Sequence, residues 1–185
     1  MARAIGACLF NTALGWCAVA WSDRGIVGLQ LPEADQDRTR DRLRRRHGGS
    51  LNAEPPPSVQ RAIDAVQRLL EGQRVDLADV PLDLQQVPAL HQSVYAIART
   101  ITAGATLTYG DIAARLGDPL LARAVGQALA RNPVAIIVPC HRVLAAGGRS
   151  GGFSAGGGVS TKLRLLAIEQ APPHDEPDLF SQPTV

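Results

Sequence analysis

Residues 108–143 read TYGDIAARLGDPLLARAVGQALARNPVAIIVPCHRV. Tyr109–Leu116 and Leu120–Ala130 have helical apolar spacing and meet at Gly117-Asp118-Pro119. Two short helices joined by a tight glycine-containing turn outline a helix-turn-helix. Asn132-Pro133 ends the second helix, because a residue before proline is pushed out of the α region. The apolar run Ala135–Val138 predicts a short strand leading straight into Pro139-Cys140-His141-Arg142-Val143. The second helix carries Ala122, Ala124 and Gly126 around Arg123. A face this small suits close approach to a nucleic-acid groove with one long cation inserted, although an amphipathic helix with one solvated arginine reads the same way.

Upstream of this stretch, Leu90, Val94, Ile97 and Ile101 predict a helix that stops near Gly104. Downstream, Gly147–Gly158 holds seven glycines in twelve positions, and a last helix is expected from Ser160 to Glu169. The N-terminal part reads differently. Ala4–Phe10, Trp16–Trp21 and Ile26–Gln30 are strand-like, with turns at Asn11–Gly15 and Ser22–Gly25. Glu33–Arg46 is dense in both charge signs and predicts an exposed helix. After the break at Pro55–Pro57, Ala62, Ile63, Val66, Leu69 and Leu70 predict a second helix ending at Gly72, and Val75–Leu84 has extended character. The fold class is therefore α/β: residues 1–80 as a small N-terminal α/β domain, 81–171 as a mainly helical domain, and 172–185 as a Pro- and Asp-rich disordered tail.

The 185 residues suffice for a core, and no apolar run is long enough to span a bilayer. The start, MARAIGACLF, lacks the charged and apolar regions of a signal peptide. Cys8, Cys17 and Cys140 are an odd set without CxxC spacing, which argues against a disulfide framework and a zinc site and for a reducing, cytoplasmic setting. Net charge is +2, unevenly spread: residues 1–87 balance eleven basic against eleven acidic side chains, whereas 88–171 carry eight against three. A basic second half is a modest footprint of nucleic-acid binding.

Cys140 is the residue most suited to chemistry. Pro139, His141 and Arg142 are poor core residues, and a thiol beside two basic groups is expected to have a lowered pKa. Cys8 and Cys17, among Ala, Leu, Trp and Val, read as packing residues. His141 is the obvious base, by direct contact or through water, and Glu169 is a candidate to orient it, though spacing alone favours an ordinary helix-terminal carboxylate. The glycine loop is either a flexible linker or a backbone that approaches a flat ligand closely.

TYGDIAARLG (108–117), ARAVGQALARNP (122–133), IVPCHRV (137–143) and the glycine loop before KLRLLAIE (162–169) together resemble the O6-alkylguanine-DNA alkyltransferases. The resemblance implies an RNase H-like N-terminal domain followed by a winged helix-turn-helix domain. It also implies direct-reversal repair: irreversible transfer of the alkyl group from O6-alkylguanine, and from O4-alkylthymine, onto Cys140, once per molecule and without a cofactor or metal. His141 becomes the base acting through water, Glu169 its orienting group, and Asn132 the hinge before the active-site segment. Arg123 becomes the finger that fills the stack left by the flipped nucleotide. Tyr109 crowds the 3′ phosphate and donates to the departing base. Val143, Gly156 and Gly157 line the guanine pocket, and Ala122, Ala124, Gly126 and Lys162 complete the substrate- and DNA-binding set. The implied partner is double-stranded DNA containing alkylated guanine, met by a monomer with no membrane association. The loop departs from the pattern, reading Ser154-Ala155-Gly156-Gly157-Gly158 where some relatives place a tyrosine, and Leu90-His91 stands where many show Phe-Gln, with His91 read as a surface or capping residue. Two other readings compete: a winged-helix module that binds alkylated bases without chemistry, and a cysteine hydrolase using Cys140 and His141.

Overall fold

The computed structural model describes residues 4–48 and 50–171. Gly6–Thr12 (β1), Gly15–Ser22 (β2) and Gly25–Gln30 (β3) form an antiparallel meander, and the two-residue strand Ser50–Leu51 (β4) adds in parallel to β1, giving the order β3-β2-β1-β4. The period of two along β2 sorts its side chains. Cys17, Val19 and Trp21 join the main core, while Ala18 and Ala20 join a smaller cluster with Ala7, Val27 and Leu43 on the opposite face.

Gln36–His47 (α1) covers that second face. It is not the exposed helix that its charge predicts: Thr39, Leu43 and His47, spaced by four, are buried against the sheet. Eight arginine and aspartate side chains hid one apolar stripe. Asp35 caps the helix through a bond from Arg38 N at 2.7 Å. The alanines let α1 approach closely, as does Gly28, where a Cβ would sit 2.5 Å from His47 Nε2 and would have to displace that ring.

Pro57–Leu70 (α2) buries the five residues its spacing predicted, together with Val59, and a chain reversal at Gly72 (φ 87°) follows. Residues 75–84, expected to be extended, form no strand; Leu82 makes one isolated bridge to Ile26. The reason is Arg99, whose Nη2 donates to the carbonyls of Leu77, Ala78 and Val80 and gathers them into an irregular bend. Arg99 ends Ala89–Arg99 (α3), which buries Val94, Tyr95 and Ala98 and leaves Leu90 exposed, a face rotated from the expected one. Tyr95 accounts for the rotation, since its hydroxyl donates to Ala128 O at 2.7 Å. His91 caps nothing; it is partly exposed, with its ring 6.2 Å from that of Tyr95.

The helix pair is present. Tyr109–Arg115 (α4) starts at a reciprocal capping box, in which Asp111 N donates to Thr108 Oγ1 (3.1 Å) and Thr108 N to Asp111 Oδ2 (2.7 Å). A 3-10 turn, Pro119–Leu121, capped by Asp118, leads into Ala122–Ala130 (α5), so the second helix begins two residues later than expected. Leu107–Thr108 (β5) and Val143–Leu144 (β6) pair in parallel, and Gly158–Ile168 (α6) closes the described chain. One continuous core cluster runs from Phe10 through α2, α3 and α5 to Leu165, so both parts of the chain share a core. No helix among the described residues is long and apolar enough to cross a membrane. Residues 172–185, expected to be a disordered tail, lie outside the described residues.

His47 gives this packing a pH signature. Burial, reinforced by Arg46, pushes its pKa down to about 4, and its Nδ1 is buried without a partner. The unfolded chain therefore binds a proton between pH 6.5 and 4 that the folded chain refuses, so the stability present above pH 6.5 is lost as pH falls through that window. The shift corresponds to about 3 kcal/mol. Urea unfolding at pH 7 and pH 4.5 should show His47→Gln losing less stability than the parent on acidification. Equal losses would mean that His47 is not held neutral.

Candidate active site

Cys140, His141 and Arg142 form a single 3-10 turn between a buried loop and β6. The loop is not the predicted strand. Ile136 sits at φ 70° with Ile137 N donating to Ala135 O at 2.9 Å, a γ-turn of the strained, positive-φ kind. A second γ-turn, of the relaxed hand, follows at Pro139 (φ −79°, ψ 65°), where Cys140 N donates to Val138 O at 2.8 Å. A β-branched residue at positive φ costs about 1–3 kcal/mol and persists only where surroundings over-determine it. Asn132 does so here. Its Nδ2 donates to Val138 O (2.8 Å) and to Cys140 Sγ (3.3 Å), while its Oδ1 accepts from Val134 N (2.9 Å).

The thiol that results is partly exposed, and its pKa is raised: burial outweighs the lowering by the Asn132 hydrogen bond and by the Lys162 charge. The expected lowering by its basic neighbours fails for a geometric reason. Arg142 turns away, its Nε and Nη2 each donating to Glu169 at 2.8 Å and its Nη1 to Ile101 O. His141 turns the same way, with Nε2 2.9 Å from Glu169 Oε1. Cys8 and Cys17 are packing residues, the former partly and the latter fully buried; burial raises Cys8 and takes Cys17 to about 12.

Glu169 is buried, which alone would raise its pKa, but hydrogen bonds from His141 and Arg142 prevail and hold it at about 2. As a carboxylate it only accepts, so His141 Nε2 carries the hydrogen. Burial lowers the His141 pKa against the pull of Glu169, and the ring is neutral at pH 7. Its Nδ1, buried without a partner, is thereby left as a lone pair. A buried neutral imidazole with one nitrogen committed to a carboxylate and the other free is a positioned base.

Lys162, the only lysine in the chain, is fully buried on α6, donates from Nζ to Val143 O at 2.6 Å, and is pushed down to about 8 by burial against the opposing influence of Cys140. Tyr109 lies at the same place. A Cβ on Gly151 would meet its hydroxyl at 2.8 Å and one on Gly126 its ring at 3.9 Å, while burial and then the Cys140 charge raise its pKa. Arg123 is exposed on α5, as is Leu120 (90%) on the preceding 3-10 turn; the latter drew no notice in the sequence, where it reads as the first residue of a helix. The structure thus gathers Cys140, His141, Glu169, Asn132, Tyr109, Val143 and Lys162, and sets Arg123 with Ala122, Ala124 and Gly126 on the neighbouring helix.

Gly156 and Gly157 fall elsewhere. They line a cleft with Pro32, Glu33 and Thr161, whereas Phe153, Ser154 and Ala155 line the cavity at Cys140. The glycines there answer packing: a Cβ on Gly156 would lie 2.6 Å from Pro32 O, and Gly157 starts α6 at φ 79°. The N-terminal residues Leu29, Leu31 and Arg42, which also line the Cys140 cavity, had no local signal, because their role follows from the docking of the two parts.

Residues 89–171 match the model of the 6-O-methylguanine DNA methyltransferase DNA-binding domain. The methylated-DNA–protein-cysteine methyltransferase of Methanothermobacter thermautotrophicus is 32% identical over 82% of this chain and 77% of its own length. That of Mycobacterium tuberculosis is 40% identical over 63% of this chain and 68% of its own. The crystal structure of Mycobacterium tuberculosis OGT in complex with DNA superposes with a TM-score of 0.72 at 31% identity, covering 92% of this chain and 97% of that one. The O6-methylguanine-DNA methyltransferase of Pyrococcus kodakaraensis does so at 0.68 and 28%, over 88% and 98%. With a relative above 30% identity spanning four-fifths of it, the chain belongs to the methylated-DNA–protein-cysteine methyltransferases.

Proposed function

We propose that Cys140 is the alkyl acceptor of a single-turnover repair reaction on double-stranded DNA, taking the substituent from O6-alkylguanine and, by the same chemistry, from O4-alkylthymine. The observation that carries this is the free, buried Nδ1 of a Glu169-oriented neutral His141, one residue from a partly exposed thiol. Cys140 Sγ attacks the alkyl carbon. An S–C bond forms, the C–O6 bond breaks, and its electron pair stays on the guanine. The thiol proton passes through a water to His141 Nδ1, and Tyr109 donates to the departing base, which leaves as neutral guanine once protonated. A raised thiol pKa makes this base necessary, since little thiolate exists beforehand. Lys162 stabilises the negative charge as it develops.

A substituent on guanine O6 inside a duplex is out of reach of this thiol, so the nucleotide is flipped out and Arg123 takes its place in the stack. Ala122, Ala124 and Gly126 let α5 approach the minor groove. In this reading residues 1–80 are an RNase H-like α/β domain and 81–171 a winged helix-turn-helix, and the protein acts as a monomer in the cytoplasm, where free thiols stay reduced. No cofactor or metal enters the reaction, and no membrane is involved. Asn132 acts as the hinge that sets the thiol after the recognition helix.

Incubation with duplex DNA carrying labelled O6-methylguanine should leave one alkyl group per molecule, on Cys140, and Cys140→Ser should take up none. Turnover would instead favour a hydrolase, and tight binding without transfer a binding module. The rate should fall below pH 6.5 as His141 becomes protonated, because its pKa lies below the ordinary 6.5, and should also fall as pH rises through about 8, where Lys162 loses its charge.

Glu169→Gln strands the buried Arg142 and His141 together. It should cost about 3–5 kcal/mol in urea unfolding and slow single-turnover transfer sharply at a temperature where it stays folded. Unchanged stability with unchanged rate would remove Glu169 from the relay.

Arg123→Ala should lose more transfer rate on fully paired duplex than on single-stranded DNA or free O6-methylguanine, because only the duplex requires unstacking and unpairing. Raising the salt should reduce the part of the defect that comes from phosphate contact and leave the flipping part. Equal impairment on all three substrates would make Arg123 a support of the fold.

A further inference from the structure

The cavity at Cys140 is small, about 20 Å³, which is room for one water-sized group. One side of it is the segment Phe153–Ala155, part of a glycine-rich loop with few anchors of its own. Ala155 O accepts from Gly158 N at 3.0 Å and Gly156 O from Thr161 Oγ1 at 2.7 Å, and Ser154 is held from the N-terminal part. Arg42 Nη2 donates to Ser154 O at 3.0 Å, and Arg42 Nη1 pairs with Glu33 Oε1 at 2.7 Å. Gln30 Nε2 donates to the same Glu33 oxygen at 3.0 Å. Two residues on, Gly156 lies against Pro32 O so closely that a Cβ would meet it at 2.6 Å. Arg42 itself also lines the cavity.

Arginine suits this position because its planar fork serves two acceptors at fixed directions. The ion pair with Glu33 is partly exposed, with side chains 39% and 19% accessible, and adds little to stability. Its consequence is geometric: Glu33, itself held by Gln30, sets the direction in which Arg42 holds Ser154. Arg40, two residues earlier, pairs with Asp37 on the same helix and, among the described residues, makes no hydrogen bond to the loop.

We propose that Arg42, aimed by Glu33 and Gln30, is a specificity-determining positioning residue: by holding Ser154 it keeps one wall of the cavity close to Cys140, so that O6-methyl is accepted and bulkier O6-alkyl groups are disfavoured. This rests on the reading of Cys140 as the alkyl acceptor and adds the N-terminal part to its specificity.

The test compares transfer rate constants from duplexes carrying O6-methylguanine and O6-benzylguanine. Arg42→Ala should raise the benzyl-to-methyl ratio by about 10-fold, the scale on which one pocket contact discriminates substrates. Arg42→Lys, which cannot fork to both acceptors, should fall between, and Arg40→Ala should match the parent. If Arg42→Ala does not fold, Glu33→Gln should move the ratio in the same direction. An unchanged ratio, or equal loss on both substrates, overturns the proposal. A second readout does not depend on alkyl transfer from DNA: alkylation of Cys140 by iodoacetamide and by a bulky maleimide. Arg42→Ala should accelerate the maleimide more than iodoacetamide. If the parent transfers nothing from DNA, the acceptor reading falls, while an unchanged reagent ratio rejects the clamp by itself.

Discussion

The buried carboxylate of Glu169 ties the site together. It sits at the end of α6 and takes three hydrogen bonds from the turn that carries Cys140, one from His141 and two from Arg142. A charge taken out of water costs several kcal/mol unless its partners repay it. Here the repayment fixes everything around it. Arg142 supplies the opposite charge and, through Ile101 O, the link to the residues just after α3. His141 supplies the remaining donor and so has its tautomer decided. With the arginine consumed by Glu169 and the histidine neutral, the charge that acts on the thiol is that of Lys162.

That arrangement explains why the thiol is raised rather than lowered. Proximity in sequence to two basic residues means nothing once both face a carboxylate, and desolvation then dominates. A protonated thiol at rest is less exposed to oxidation, since reactivity follows thiolate character. The chemistry has to be started by proton removal, and for that the unpartnered Nδ1 of His141 is suited by position and protonation state. Lysine rather than arginine at position 162 fits the same logic. A compact ammonium can be buried against a single carbonyl and still be pushed down to about 8, whereas a guanidinium stays charged and brings five donors to satisfy.

Much of this was legible along the chain. The three strands, α2, the helix pair and α6 follow from period and punctuation, because each is stabilised by a stripe of apolar residues whose spacing survives in the sequence. Cys140 and His141 stood out for the same reason inverted, as polar residues after an apolar run. What was not legible depends on partners far away. The bend at 75–84 exists because Arg99 collects its carbonyls. The 135–138 run has strand composition and lacks the strand, because Asn132 captures Val138 O and forces a turn through Ile136. Glycines at 156 and 157 look like a ligand loop and turn out to be packing against Pro32 and a helix start.

The N-terminal part shows the same limit most clearly. Its residues carry no nucleophile and no base at the site, and a sequence reading finds no chemistry in them. Yet Leu29 and Leu31, at and just after the end of β3, line the Cys140 cavity, and β3 is joined to the active-site loop by Leu29 N donating to Pro133 O at 2.9 Å. Leu29 also bridges Val134, the residue whose amide Asn132 holds. The edge of the sheet thus pairs with the very segment that strains Ile136 and presents the thiol. An edge strand left open invites pairing with other chains, and here that pairing is made within the molecule. The sheet supplies the rigid edge that the strained turn needs, which is a reason for the two parts to share one core.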